Sequence, residues 1–189
     1  LVNDAKRIIA VDGGANELTQ KNITADVIIG DMDSVDSATI DSQRKAQIVQ
    51  NLSQEDTDLV KALNWCAENG CTNVDVIGIS GGRSDHSLAA FAALVETANN
   101  IKAKLHLEDC VAFLVGYDTK IDACKGQHVS IFALNGAIED LTLSGFEYEL
   151  TSVQFPFSTR GLHNIANVDY PQITYSGQSD GQLLVMVFY

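Results

Sequence analysis

The chain has 189 residues, 46% of them apolar and only two of them proline, which suits one large domain or two small ones with a core of normal size. Its 25 acidic residues outnumber 12 basic ones, for a formal charge of -13. That surface repels phosphate backbones and anionic membranes, so neither nucleic acid nor membrane is an expected partner, whereas a nucleotide screened by Mg²⁺ is still admissible.

In chain order, "RIIAV" reads as a buried strand that ends at Asp12-Gly13-Gly14, and "DVIIG" as a second that ends at Asp31. Residues 35–47 read as an exposed helix and "AQIVQNL" as a short strand. In "SQEDTDLVKALNWCAENG", Leu59, Leu63, Cys66 and Ala67 recur at helical spacing and Gly70 is the stop. "NVDVIGI" is a strand that runs into Ser80-Gly81-Gly82, followed by the helix "DHSLAAFAALVETANN" and the strands "KLHLED" and "VAFLV". This order predicts an α/β part with a mostly parallel sheet and flanking helices.

Near Gly116 the helical periodicity stops. The strands "HVSIFAL", "IEDLTLSG", "YELTSVQF", "QITYSG" and "QLLVMVFY" follow, punctuated by Asn135-Gly136, Ser144-Gly145 and Asp180-Gly181. The expected second part is an all-β, sandwich-like domain. The boundary is set at 1–118 and 119–189. Four cysteines, Cys66, Cys71, Cys110 and Cys124, show neither CxxC pairing nor zinc spacing, and no hydrophobic run has membrane length. Reduced thiols and a cytoplasmic location are expected.

Ligands of open parallel sheets bind beyond the carboxyl ends of the strands. Three strand ends here are polar or glycine-rich: Asp12, Gly13, Gly14 and Asn16; Asp31, Asp33 and Ser34; Ser80, Gly81, Gly82, Arg83 and Asp85. Asp58 lies at a helix start. Asp31 and Asp33, at i and i+2, share a face in extended chain and suit Mg²⁺, a hard cation that takes one or two carboxylates plus phosphate oxygens. Gly81 and Gly82 let backbone N–H groups approach a phosphate, and Arg83 pairs with its oxygens. Each feature also has a plainer reading. Asp31, Asp33 and Asp12 suit turns, Asp56 belongs to a capping box opened by Ser53, Asp85 suits a helix cap, and His86 suits packing. The residues alone leave both readings open, and their shared placement at strand ends favours a metal–polyphosphate site.

"VDGGANEL", "DVIIGDMDSV", "QEDTDLVKAL" and "GISGGRSDHSLA" together resemble, in order and spacing, the thiamine pyrophosphokinase family, and "LTLSGFEYEL" with "STRGLHN" resembles that family's thiamine-binding β-domain. The resemblance spans nearly the whole chain. It implies transfer of a pyrophosphoryl group from ATP to thiamine, giving thiamine diphosphate and AMP, with Mg²⁺ required. It also implies a homodimer with thiamine at the subunit interface. Asp31, Asp33 and Asp58 would hold the metal and, with Asp85, form the catalytic set. Asp12, Gly13, Gly14, Gly81, Gly82 and Arg83 would serve ATP and its phosphates, and Gln54, His163 and Asn164 would serve thiamine. Tyr148, Phe155 and Phe157 are candidate aromatic partners for the thiazolium cation, and strand alternation also explains each as core.

Three departures stand out. The family has an extra strand and helix before "DGGAN", which this chain is expected to lack. Glu55 stands where relatives place Asp, and His163 where they place Ser. Two other functions stay open: a sensor that binds thiamine or nucleotide without turnover, and another Mg²⁺-dependent pyrophosphokinase or phosphohydrolase.

Overall fold

The computed structural model describes residues 1–189, and packing divides them into two units, Leu1–Asp75 with Asn99–Ile101 and Val76–Ala98 with Lys102–Tyr189. The first unit opens with a 3₁₀ turn at Val2–Asp4. It continues through β1 (Ile9–Val11), α1 (Gly14–Gln20), β2 (Val27–Gly30), α2 (Ser37–Ser42), β3 (Gln47–Gln50) and α3 (Asp58–Glu68). Strand β4 (Asn73–Val76) straddles the division.

Strands β1, β2 and β3 form a parallel sheet in that order, with Ile9, Ala10 and Val11 opposite Val27, Ile28 and Ile29. All four residues of β2 are buried, as a central strand covered on both faces requires. Ile28 packs on one face with Ala10, Ala15 and Ala25, backed by Leu18 of α1. Val27 and Ile29 pack on the other with Ala62, backed by Trp65 of α3. Each such aliphatic side chain contributes about 1.5–3 kcal/mol on burial. The three strands point their carboxyl ends the same way, so Asp12, Asp31 and Asn51 follow one edge of the sheet.

Helix α1 was not expected, because Gly13-Gly14 reads as a turn. In the structure Gly13 is the N-cap and Gly14 the first helical residue. Helix α3 starts at Asp58, where the sequence reading put a helix start, and its N-cap is Thr57 rather than the Ser53 of the capping-box reading: Thr57 Oγ1 accepts from the Val60 N–H at 3.4 Å. It ends as predicted at Gly70, whose φ of 78° suits a residue without Cβ.

The second unit holds α4 (Ser84–Thr97), β5 (Lys102–His106), β6 (Cys110–Val115), β7 (Asp118–Lys120), β8 (His128–Leu134), β9 (Ile138–Ser144), β10 (Leu150–Phe155), β11 (Asn164–Ile165), β12 (Gln172–Thr174) and β13 (Gln182–Phe188). One antiparallel sheet runs β11-β8-β13-β6-β5 and a second runs β10-β9-β12-β7. Their facing sides share one core: Val129, Ile131, Leu183 and Val185 from the first and Leu141, Leu143, Phe155 and Ile173 from the second. Helix α4 packs on β5 and β6.

The fold class is therefore the expected one: a parallel α/β part followed by an antiparallel sandwich. Strands β5 and β6 depart from the parallel order read for the first half. They pair antiparallel, with Lys104 opposite Phe113. Only Leu107–Asp109 joins them, and so short a link makes a hairpin, not a parallel crossover.

Candidate functional site

The carboxyl edge of the parallel sheet gathers an acidic group. Ligand oxygens of Asp12, Asp31 and Asp33 lie within 4.8 Å of one another. Asp12 follows β1 with φ 42°, and its N–H donates to the Ile29 carbonyl at 2.8 Å, which fixes it beside β2. Gly30 allows that approach, since a Cβ there would stand 2.8 Å from Asp12 Cβ. Asp12 Oδ1 is buried and has no hydrogen-bond partner. A buried carboxylate oxygen left unpaired is costly unless something binds it.

Asp31 and Asp33 flank Met32, which has φ 70°. Such strained backbone clusters at functional sites. The Asp33 N–H donates to Asp31 Oδ1 at 3.2 Å, and Gln54 Nε2 donates to Asp31 Oδ2 at 3.4 Å. The Asp33 backbone bond, more than the Gln54 side chain, holds the Asp31 carboxyl below its ordinary value of 3.8. Ser34 Oγ donates to Asp33 Oδ1 at 2.8 Å. Asn16 staples the loop from α1, donating to the Ser34 carbonyl at 2.8 Å and accepting the Asp36 N–H at 3.1 Å. Sequence reading placed Asn16 at this edge but gave it no task.

Asp58 falls outside the three-carboxylate group. Its Oδ1 takes the Lys61 ammonium at 2.9 Å. Lys61, passed over in the sequence, has a side chain only 5% exposed. Its Nζ also donates to the Asn51 carbonyl at 3.2 Å. A cavity of about 660 Å³ opens beside it, walled by Gln50, Asn51, Asp56 and Trp65. Ser53 caps nothing in α3, and its Oγ accepts the Glu55 N–H at 3.3 Å.

In the second unit, Gly81 (φ 84°) and Gly82 lead into α4, whose N-cap Arg83 makes no side-chain capping bond. A Cβ on either glycine would meet nothing within 4 Å, so the backbone is open to a ligand. Arg83 clasps Asp85 by two bonds, Nε to Oδ1 at 3.1 Å and Nη2 to Oδ2 at 2.7 Å. The guanidinium bonds draw the Asp85 carboxyl down to about 2. Asp85 Oδ1 also accepts the His86 N–H at 3.0 Å.

Asn164 is 8% exposed and its amide is committed within the fold. Oδ1 accepts from the Tyr148 and Ile165 N–H groups at 3.0 and 2.9 Å, and Nδ2 donates to the Tyr148 carbonyl at 2.8 Å. Both backbone groups of Tyr148 are thereby fixed, while the residue as a whole is 62% exposed. His163 has φ 60° and its N–H donates to Ser130 Oγ at 3.3 Å. Of the other aromatic residues considered, Phe155 is core at 1% exposure, and exposed Phe157 lies 6.3 Å from Phe132 between ring centroids.

Comparison with known proteins adds sequence and fold likeness to this geometry. Residues 1–105 match the family model of the thiamin pyrophosphokinase catalytic domain, and residues 117–169 match that of the thiamin pyrophosphokinase vitamin B1 binding domain. Thiamine pyrophosphokinase of Bacillus subtilis is 32% identical over 154 residues, which are 76% of this chain and 70% of that protein. The crystal structure of a Bacillus subtilis thiamine pyrophosphokinase superposes with a TM-score of 0.80 at 27% identity, covering 95% of this chain and 86% of that one. A thiamin pyrophosphokinase family protein of Enterococcus faecalis gives 0.83 at 20% identity over 100% and 91%, a likeness of fold.

Proposed function

The chain belongs to the thiamin pyrophosphokinase family of enzymes, and from that premise we propose that it moves a pyrophosphoryl group from ATP to the hydroxyl of thiamine. The observation that carries this reading is the Asp12, Asp31 and Asp33 group with its unpaired, buried Asp12 Oδ1. An all-oxygen donor set of carboxylates fits Mg²⁺. These three residues would hold the ion, and when bound it would offset charge on the phosphate oxygens of ATP. Asp58 belongs to the same proposed machinery through Lys61 rather than through the three-carboxylate group.

The thiamine hydroxyl oxygen forms a bond to the β-phosphorus, the bond from that phosphorus to the α-phosphate oxygen breaks, and AMP leaves. Positioning and charge compensation dominate such transfers. Asp12 and Asp31 are held in place by the sheet edge, so their geometry is set before substrate arrives. Gly81 and Gly82 offer open backbone to phosphate oxygens, and Arg83 offers a guanidinium. Asp85, with its carboxyl near 2, is a weak base while Arg83 holds it. Its part is to orient the hydroxyl by accepting a hydrogen bond, and the proton passes to solvent. Gln54, His163, Asn164 and the exposed Tyr148, whose backbone Asn164 holds, are assigned to thiamine, the Tyr148 ring by cation–π contact.

ATP handling is assigned to residues 1–118 and thiamine binding to 119–189. The working unit is read as a homodimer with thiamine between subunits, on the family resemblance. No helix is long and apolar enough to cross a membrane, and the four free cysteines accord with a cytoplasmic location.

The test is AMP release from ATP with Mg²⁺, with and without thiamine. Thiamine-dependent AMP, equal in amount to thiamine diphosphate, is the expected result. AMP or phosphate without thiamine would replace the reading with another Mg²⁺ enzyme, and thiamine binding with no AMP would replace it with a sensor.

A further inference from the structure

Two of the four free thiols meet at the end of α3. The helix closes at Glu68 with Asn69 as its C-cap, and Gly70 follows with φ 78°. The Gly70 N–H donates to the Ala67 carbonyl at 3.2 Å, and the Cys71 N–H donates to the Cys66 carbonyl at 2.9 Å. These two bonds around a left-handed glycine make a Schellman motif, whose outer residues bring their side chains together, commonly as an apolar contact. In this chain the outer residues are Cys66 and Cys71, so the contact is thiol on thiol.

Standard bond lengths and the 2.9 Å bond hold the Cys66 and Cys71 Cα atoms within about 6.8 Å of each other, inside the reach of a disulfide. The side chains interact as well. Burial pushes the Cys66 thiol up to about 12, the adjacent Cys71 thiol adds to the rise, and the Arg7 guanidinium pulls the other way. Free cysteine packs as a small apolar residue, which accounts for either thiol by itself. It does not account for thiols at both of the positions that touch. Their exposure also differs: Cys66 is 2% exposed, whereas Cys71 is half-buried and open to solvent on one side.

We propose that Cys66 and Cys71 form a redox-active dithiol that exchanges with small-molecule disulfides, such as glutathione disulfide, and closes to a bridge across the end of α3. Cys71 gives up its proton and attacks one sulfur of the small disulfide. That S–S bond breaks, and one small thiol leaves with a proton. Cys66 then gives up its proton and attacks the Cys71 sulfur. The mixed disulfide breaks, and the second small thiol leaves with that proton. Two protein thiols are oxidised and one small disulfide is reduced to two thiols, with no other reactant. The bridge would pin the last turn of α3 to the lead into β4. Neither thiol takes part in the proposed pyrophosphoryl transfer.

The experiment equilibrates the full chain with reduced and oxidised glutathione over a range of ratios. Acid quenching, alkylation of the remaining thiols and peptide mass spectrometry follow, once on the folded chain and once in concentrated urea. Cys66 and Cys71 should be lost together as one bridge, with an equilibrium constant at least about tenfold larger folded than unfolded. Exposed Cys124 should carry glutathione only. Cys66→Ser should stop at glutathione on Cys71, and Cys71→Ser should keep the Cys66 thiol free, each variant being checked by thermal melting. A folded wild-type chain that keeps both thiols free, or that holds glutathione on Cys71 without closing, overturns the proposal. So does a constant no larger folded than unfolded, since chance encounter in a short loop gives that. Glutathione on Cys66 in a folded Cys71→Ser chain would overturn Cys71 as the attacking thiol, and the proposal with it.

Discussion

Gly30 stands between a core strand and the first acid of the group, and its missing side chain is what lets Asp12 sit there. Gly30→Ala would set Cβ 2.8 Å from Asp12 Cβ and 3.2 Å from its Cα, so backbone must give way. We expect a loss of about 1–3 kcal/mol in urea denaturation, as for other overpacked sites, together with weaker Mg²⁺ binding. A variant with wild-type stability and Mg²⁺ affinity would show that this contact does not position Asp12. Arg83 and Asp85 allow a test by pH. The Asp85 carboxyl is depressed from 3.8 to about 2 in the folded chain, so the pair stabilises above 3.8 and its contribution fades as pH falls toward 2. In Arg83→Gln the carboxyl should titrate close to 3.8, read from carbon-13 shifts in an NMR pH series, and a value still near 2 would assign the depression to the His86 N–H instead. At this scale the gathering of Asp31 and Asp33 with Asp12 was legible from their shared placement at strand ends, while the residues alone left a turn and an ion site both open. Lys61 was not, because a lysine three residues after an aspartate on a helix reads as a surface pair. Only tertiary packing buries it.

Among the elements, β2 was readable from its unbroken apolar run, and α3 from the spacing of Leu63 and Cys66 and its stop at Gly70. Asp58 was rightly set at a helix start, but the capping-box reading opened at Ser53, four residues before the actual N-cap Thr57, because both residues suit an N-cap and backbone hydrogen bonds, which sequence does not display, choose between them. Helix α1 was hidden by its own Gly13-Gly14 opening, which reads as a turn. Strand β11 is two residues long, too short to leave a pattern, yet it carries Asn164. Because the Asn164 amide holds both backbone groups of Tyr148, Asn164→Ala removes three hydrogen bonds and leaves buried partners unmet. A cost of about 1–3 kcal/mol is expected, with a raised KM for thiamine as the Tyr148 segment loosens. A raised KM at unchanged stability would mean instead that Asn164 touches thiamine directly.

For the molecule as a whole, the switch from helical spacing to short, turn-bounded strands announced an α/β part followed by a sandwich. The sheet membership of β5 and β6 did not show, since strand pairing partners are settled by long-range contacts and not by local pattern. The net charge of -13 acts at the same scale. It draws a cationic substrate in and holds an anionic one off, through a field that salt screens. Raising ionic strength from about 0.05 to 0.5 M shortens the Debye length several-fold, so the KM for thiamine should rise and that for ATP should fall at fixed Mg²⁺. Two constants moving together in steady-state kinetics would assign the effect to the sites rather than to the field. The sandwich has one further property, set by its wiring. Strand β13 (Gln182–Phe188) lies in the middle of its sheet, between β8 and β6. During synthesis β8 and β6 are threaded out long before the strand that separates them. A ribosome stalled short of Gln182 would leave two open edges facing a gap, a shape prone to capture any extended neighbour. The sheet can close only after residue 188 has cleared the exit tunnel, so β6 and β8 must wait, unpaired on one side, while all the strands between β8 and β13 are made.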